Sequence, residues 1–171
     1  MRKILSLCTM FLISINYIFA QSQVFDNLKM DSEILNMERK YSIYLPPDYE
    51  ISSRSYPVLY LLHGLGDDHT GWVQFGEVKK IADESIINGD ATPMIIVMPD
   101  ANTGYVGYIN IPSENWLYED FFFNELMPYV ESKYRIKSEK RFRAISGLSM
   151  GGGGTLILSL IHISEPTRLN P

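Results

Sequence analysis

Two unbroken apolar runs, Val58-Leu59-Tyr60-Leu61-Leu62 and Met94-Ile95-Ile96-Val97-Met98, constrain this chain more than any other feature. A strand with one wet face alternates apolar and polar residues. A strand that is apolar throughout is buried on both faces, like the inner strands of a parallel sheet. His63-Gly64 stops the first run and Pro99-Asp100 the second. Between them the period changes: Val78, Ile81, Ala82, Ser85 and Ile86 fall on one helical stripe, and Asn88-Gly89 is a helix stop. Upstream, Lys40 to Leu45 alternates with period two and Pro46-Pro47 ends it. A second helix is expected over roughly Tyr118 to Tyr134, with Phe122, Leu126, Tyr129 and Val130 inward and Pro128 kinking it or marking a boundary. Arg141 to Ser146 reads as the next strand. A β-rich start followed by alternating helices and apolar strands predicts an α/β three-layer sandwich. Its sheet should be mostly parallel with an antiparallel N-terminal portion, joined by right-handed crossovers. Working residues in such sheets sit at the carboxyl ends of the strands. Those ends are His63-Gly64-Leu65-Gly66, Asp100-Ala101-Asn102 and Gly147 to Gly151.

Composition narrows the partners. The 171 residues are 46% apolar and 20% charged with net charge −5, which fits one globular domain and argues against a nucleic-acid surface. Residues 1–20 stand apart: Arg2 and Lys3, then an apolar stretch to Phe19, then Ala20 before Gln21. This is the layout of a cleaved signal peptide, so a secreted or periplasmic protein is expected, without stable membrane insertion after cleavage. The competing reading, a membrane anchor, needs an apolar run of about 20 residues and a charged stop, which the leader lacks. Cys8, the only cysteine, lies in this leader, so the mature chain would have neither disulfides nor a thiol nucleophile.

The chemistry concentrates at Gly147-Leu148-Ser149-Met150-Gly151, which follows a strand and opens a helix rich in small residues. A G-x-S-x-G match in that context is a nucleophile elbow: the serine occupies a sharp turn whose neighbours have no room for side chains. Ser149 is therefore the expected nucleophile. An oxyanion formed on its substrate needs two N–H donors. Met150, the residue after the nucleophile, would supply one and Leu65 the other, with Gly64 as the competing donor and a lining residue. His63 is read as structural, because the catalytic histidine of this arrangement follows the serine. Asp67, Asp68 and His69 read as a solvated loop in preference to a metal site, and no cofactor or metal is expected. Asp100 reads as a strand-end residue near the site. Trp72, Phe75, Tyr105, Tyr108, Trp116 and Tyr118 gather around the same loops, either as an acyl pocket or as packing; Trp116 and Tyr105 are the preferred pocket residues.

The segments Tyr44 to Tyr49, Pro57 to Gly64, Ile96 to Asp100, Glu125 to Glu131 and Gly147 to Gly152 together resemble an esterase family of α/β-hydrolases. That family includes esterase D-like S-formylglutathione hydrolases and feruloyl esterases. The resemblance implies cofactor-free hydrolysis of carboxylic esters, and the leader points to feruloyl or acetyl esters on polysaccharide. An acyltransferase of the same fold and a non-catalytic carbohydrate-binding relative are the alternatives; the oligomeric state is left open. The family also needs an acid and then a histidine after the serine, whereas here His162 precedes Glu165 close behind the elbow. The expectation is that residues 21–160 are the N-terminal part of a hydrolase domain, that 161–171 are a non-native tail, and that this truncated chain is inactive and poorly soluble.

Overall fold

The computed structural model describes residues 21–102 and 107–159; the leader 1–20, Tyr105 and the tail 161–171 lie outside the described residues. Strands β1 (Gln23–Ser32) and β2 (Met37–Leu45) form an antiparallel hairpin. Asn36, with φ of 50°, makes its turn, a conformation asparagine tolerates better than most residues. Strands β3 (Val58–Leu62) and β4 (Ile95–Pro99) are the two apolar runs. The short helix α1 (Gly71–Gln74) and helix α2 (Val78–Ile87) connect them. Strands β5 (Asn110–Ile111) and β6 (Trp116–Leu117) form a small separate ladder. Helix α3 (Tyr118–Phe121), a π-helical turn and helix α4 (Met127–Lys133) then lead to strand β7 (Arg143–Gly147) and helix α5 (Met150–Leu158).

The main sheet runs β1-β2-β4-β3-β7. β1 with β2 and β2 with β4 are antiparallel, whereas β3 pairs in parallel with both β4 and β7. The expected antiparallel N-terminal portion is present, and the parallel part carries the site. Alternate residues separate cleanly. Val58, Tyr60, Leu62, Ile95 and Val97 face a core built with Phe121, Phe122, Leu126 and Val130. Ile96 and Met98 face α2 through Val78, with Leu59 and Leu61 beside them. This is the three-layer arrangement, and burying each such side chain contributes roughly 1.5–3 kcal/mol. β4 is buried at every position, whereas Leu59 and Leu61 of β3 are half-buried and border an apolar hollow of about 280 Å³. No helix among the described residues is long and apolar enough to cross a membrane.

Pro128 resolves as a boundary. The Met127 N–H reaches back five residues to the Phe122 carbonyl, so the hydrogen-bond ladder has already widened where the proline ring needs room. The helix continues instead of breaking. Just before this point, Glu125 ties helix to hairpin. Its carboxylate accepts the Ser32 hydroxyl at 2.5 Å and the N–H groups of Glu33 and Ile34 at 2.9 and 3.0 Å. Replacing Glu125 by alanine should strand three donors and lower stability by about 2 kcal/mol in urea unfolding; an unchanged midpoint would show the tie to be idle.

Candidate active site

The register between β3 and β7 brings the two key loops together. Leu62 lies opposite Gly147, so both chains leave the sheet at the same level. The Leu148 N–H still donates to the Leu62 carbonyl at 3.2 Å, and then the second chain turns sharply. Ser149 takes φ 53° and ψ −110°, a conformation that costs an L-residue on the order of 1–3 kcal/mol. The turn is closed by Gly151 N–H to Leu148 O at 2.8 Å and Gly153 N–H to Ser149 O at 3.1 Å. Ser149 is exposed, and its hydroxyl makes no hydrogen bond among the described residues.

Two glycines make the bend sterically available. A Cβ on Gly147 would stand 2.5 Å from the Gly151 backbone, and one on Gly151 would stand 2.5 Å from the Leu62 carbonyl oxygen. Gly64 is adjacent: a Cβ there would meet the Leu148 oxygen at 3.5 Å and the Ser149 Cβ at 3.8 Å. The Gly64–Leu65 peptide therefore borders the nucleophile. Neither the Leu65 N–H nor the Met150 N–H donates to a partner among the described residues. Met150 opens α5, where the helix dipole adds partial positive charge. Both amides are thus without a protein acceptor among the described residues.

His63 is 1% exposed, with both ring nitrogens engaged. Nδ1 lies 2.8 Å from the Gly64 carbonyl oxygen, and Nε2 accepts the Ala101 N–H at 2.9 Å. Because a carbonyl only accepts, hydrogen-bond geometry assigns the proton to Nδ1. This occupation supports the structural reading of His63. Asp100 is buried and anchored by Arg39, 3.8 Å from its Oδ2, while its Oδ1 accepts the Asn102 N–H at 2.8 Å. Burial pushes the Asp100 carboxyl up, but contacts with His63, the Asn102 N–H and the Arg39 charge outweigh it and hold the group below its ordinary value.

Two expectations need correction. His69 belongs to no solvated loop: it is 4% exposed, and neither ring nitrogen has a hydrogen-bond partner among the described residues. No group of three or more potential metal ligands occurs among the described residues. Trp116 is 1% exposed and donates its indole N–H to the Gly107 carbonyl, so it belongs to the buried packing and lines no open pocket. Tyr108 and Tyr118 are buried in the same aromatic layer. Among the described residues, Trp72 and Phe75 are aromatics beside the loops that flank the nucleophile. With Gly64, Asp67, Gly71 and Leu148 they line a cavity of about 160 Å³, and Phe75 is 81% exposed. Arg39, which anchors Asp100, was not singled out in the sequence. The alternation puts Arg39 on the same face as Tyr41 and Ile43, but a charge at that position reads as solvated.

This architecture has close counterparts. Residues 32–165 match the family model described as "Putative esterase". The chain belongs to this esterase family. It is 37% identical over 119 residues to "Esterase MT1326" of Mycobacterium tuberculosis (strain CDC 1551 / Oshkosh), a match covering 67% of this chain and 24% of that protein. It is 33% identical over 138 residues to "Endo-1,4-beta-xylanase/feruloyl esterase" of Xylanibacter ruminicola, covering 75% of this chain and 18% of the relative. A solved "ferulic acid esterase" superposes with a TM-score of 0.79 at 41% identity, over 83% of this chain and 56% of that one. The fold is thus that of the α/β-hydrolase esterases. The chain spans a quarter or less of these curated relatives and about half of the solved structure.

In this chain, glycines of one helix should respond oppositely to alanine. Gly151→Ala should cost about 3 kcal/mol or more, because backbone atoms surround the site. Gly153→Ala, with nothing within 4 Å, should stabilise by about 0.5–1 kcal/mol. Denaturant midpoints of the two variants test this; equal effects would contradict the close approach.

His69 should leave a pH signature. Burial, partly opposed by Asp68 and Asp100, holds its imidazole below the ordinary value. The unfolded chain then binds a proton before the folded one as pH drops through about 6.5. Stability is complete above that pH and declines below it, until the lowered folded value is passed. His69→Leu should flatten the decline, read as denaturant midpoints between pH 7.5 and 5; an identical slope in both proteins would exclude this assignment.

Proposed function

We propose that the full-length protein is a secreted serine carboxylic-ester hydrolase that works through an acyl-enzyme on Ser149. The observation that carries this is the elbow: an exposed hydroxyl on a strained turn, bordered by two unengaged amides on converging loops. Ser149 Oγ attacks the ester carbonyl carbon and passes its proton to a general base. The carbonyl oxygen becomes an oxyanion held by the Leu65 and Met150 N–H groups, each typically worth about 10²–10³ in rate. Collapse expels the alcohol, which takes the proton from the base. Water then attacks the acyl-serine by the same route and releases the acid. His63 has both nitrogens committed, so it is not this base.

Two observations support an aromatic or short acyl group on a polysaccharide. Relatives carry the names feruloyl and ferulic acid esterase, and the cavity beside Gly64 and Leu148 is lined by Trp72 and Phe75. Gly64 would line the acyl site. The leader at residues 1–20 has the features of an export signal, which suits an extracellular or periplasmic substrate. The chemistry needs neither cofactor nor metal. In the full-length protein, Ser149→Ala should abolish both hydrolysis of a short-chain aryl ester and labelling by a fluorophosphonate, while the melting temperature stays within a few degrees. Retained labelling would place the nucleophile elsewhere.

A further inference from the structure

A cation buried far from water needs an account, because a buried ion pair is seldom the most stable way to fill a core. Arg39 of β2 is 1% exposed. Its guanidinium lies 5.4 Å from the Trp116 ring centre and 5.8 Å from those of Tyr118 and Phe121. One arm donates to the Asp100 main-chain carbonyl, which also accepts the Tyr118 hydroxyl at 2.9 Å, and the same arm lies 3.8 Å from the Asp100 carboxylate. Its Nε has no partner among the described residues. An apolar residue could fill this volume without leaving a donor unpaired, so packing alone does not call for arginine.

The consequence of the contact lies one residue further on. Holding the Asp100 carbonyl fixes the next peptide, and Ala101, itself fully buried, aims its N–H at His63 Nε2. With Nε2 accepting, the imidazole carries its proton on Nδ1 and gives it to the Gly64 carbonyl. A trans peptide is planar, with its C=O and N–H opposed. Turning the Gly64 carbonyl toward His63 therefore turns the Leu65 N–H the opposite way, in a peptide whose Gly64 abuts Ser149. One competing force exists. The Asp100 Oδ1 lies 3.7 Å from Nε2 and, uncompensated, would draw the ring proton there. Nδ1 would then present a lone pair to the Gly64 oxygen, leaving that carbonyl only the longer hydrogen bond from the Asp67 N–H at 3.3 Å. The Arg39 charge offsets that pull.

We infer that Arg39 is a positioning residue for ester hydrolysis: through Asp100, Ala101 and the His63 tautomer it keeps the Leu65 N–H facing the oxyanion. This rests on the proposed role of Ser149 and the Leu65 amide. Arg39 touches neither substrate nor nucleophile, so its removal acts on the transition state and leaves substrate binding alone. Arg39→Lys keeps a charge but lacks the planar guanidinium that lies among the Trp116, Tyr118 and Phe121 rings, and it should recover only part of the loss.

The test uses the full-length protein, with active sites counted by fluorophosphonate labelling. Arg39→Met should lower kcat per labelled serine about 10²-fold, the lower end of the effect of losing one oxyanion donor, with KM unchanged. Binding of a trifluoromethyl ketone, which forms an oxyanion on Ser149, should weaken by the same factor. Arg39→Lys should fall between, and ¹⁵N NMR of the imidazole should move the His63 proton from Nδ1 toward Nε2 in Arg39→Met. His63→Asn, whose amide nitrogen occupies the Nδ1 position, should retain more activity than His63→Gln. If Arg39→Met does not fold, the lysine variant and the His63 pair carry the same test. Normal kcat per labelled serine in Arg39→Met, or in Arg39→Lys if only that folds, would overturn the inference while leaving Ser149 intact. So would Gln outperforming Asn at His63. Wild-type protein that hydrolyses the ester without being labelled at Ser149 would instead overturn the underlying function, and with it this inference.

Discussion

Everything at the working end of this molecule depends on how closely three backbone segments approach. β3 and β7 run in parallel with Leu62 opposite Gly147, and α5 starts immediately above them. The space between the end of β3 and the first turn of α5 is less than a methyl group allows, as Gly147 and Gly151 demonstrate from both sides. That approach forces the chain to turn within one residue, which puts Ser149 into a backbone conformation that is otherwise unfavourable. The strain is offset by the sheet pairing and by the core under α5, where Leu158 is fully buried.

The second determinant is a buried polar layer beneath the loops. Tyr108 donates to the His63 carbonyl at 3.1 Å while its ring presses against Gly154, joining the end of β3 to α5. His63 bridges the end of β3 to the end of β4 through Ala101, and Arg39 brings in β2. Polar groups buried in this way are stable only when nearly all are paired. The network therefore behaves as a unit that fixes relative loop positions, whereas the apolar core fixes only that the layers pack.

Much of this was legible in the sequence because it follows from local rules. The runs at Val58–Leu62 and Ile95–Pro99 could hardly be anything but inner strands, and the stripe at Val78 to Ile86 could hardly be anything but a surface helix. Pro128 was legible only as a disturbance, since whether a helix breaks or widens around a proline depends on what packs against it. The aromatics were legible only as a group. Trp116 and Phe75 look equally suited to a pocket in sequence, yet one is 1% exposed and the other 81%, because burial is decided by which loop folds over which. The charged loop at Asp67 to His69 misled for the same reason: polarity predicts solvent contact on average, and here the histidine of the loop is 4% exposed.

The sequence by itself determined the strand and helix order, the elbow at Ser149 and the glycines around it, because period and steric allowance are properties of neighbouring residues. Only the tertiary structure decided that Arg39, His63 and Asp100 share one buried network, and that the Gly64–Leu65 peptide borders the serine. Those residues come from different strands, and contact between them depends on sheet order and register, which long-range pairing sets and local residue patterns do not encode.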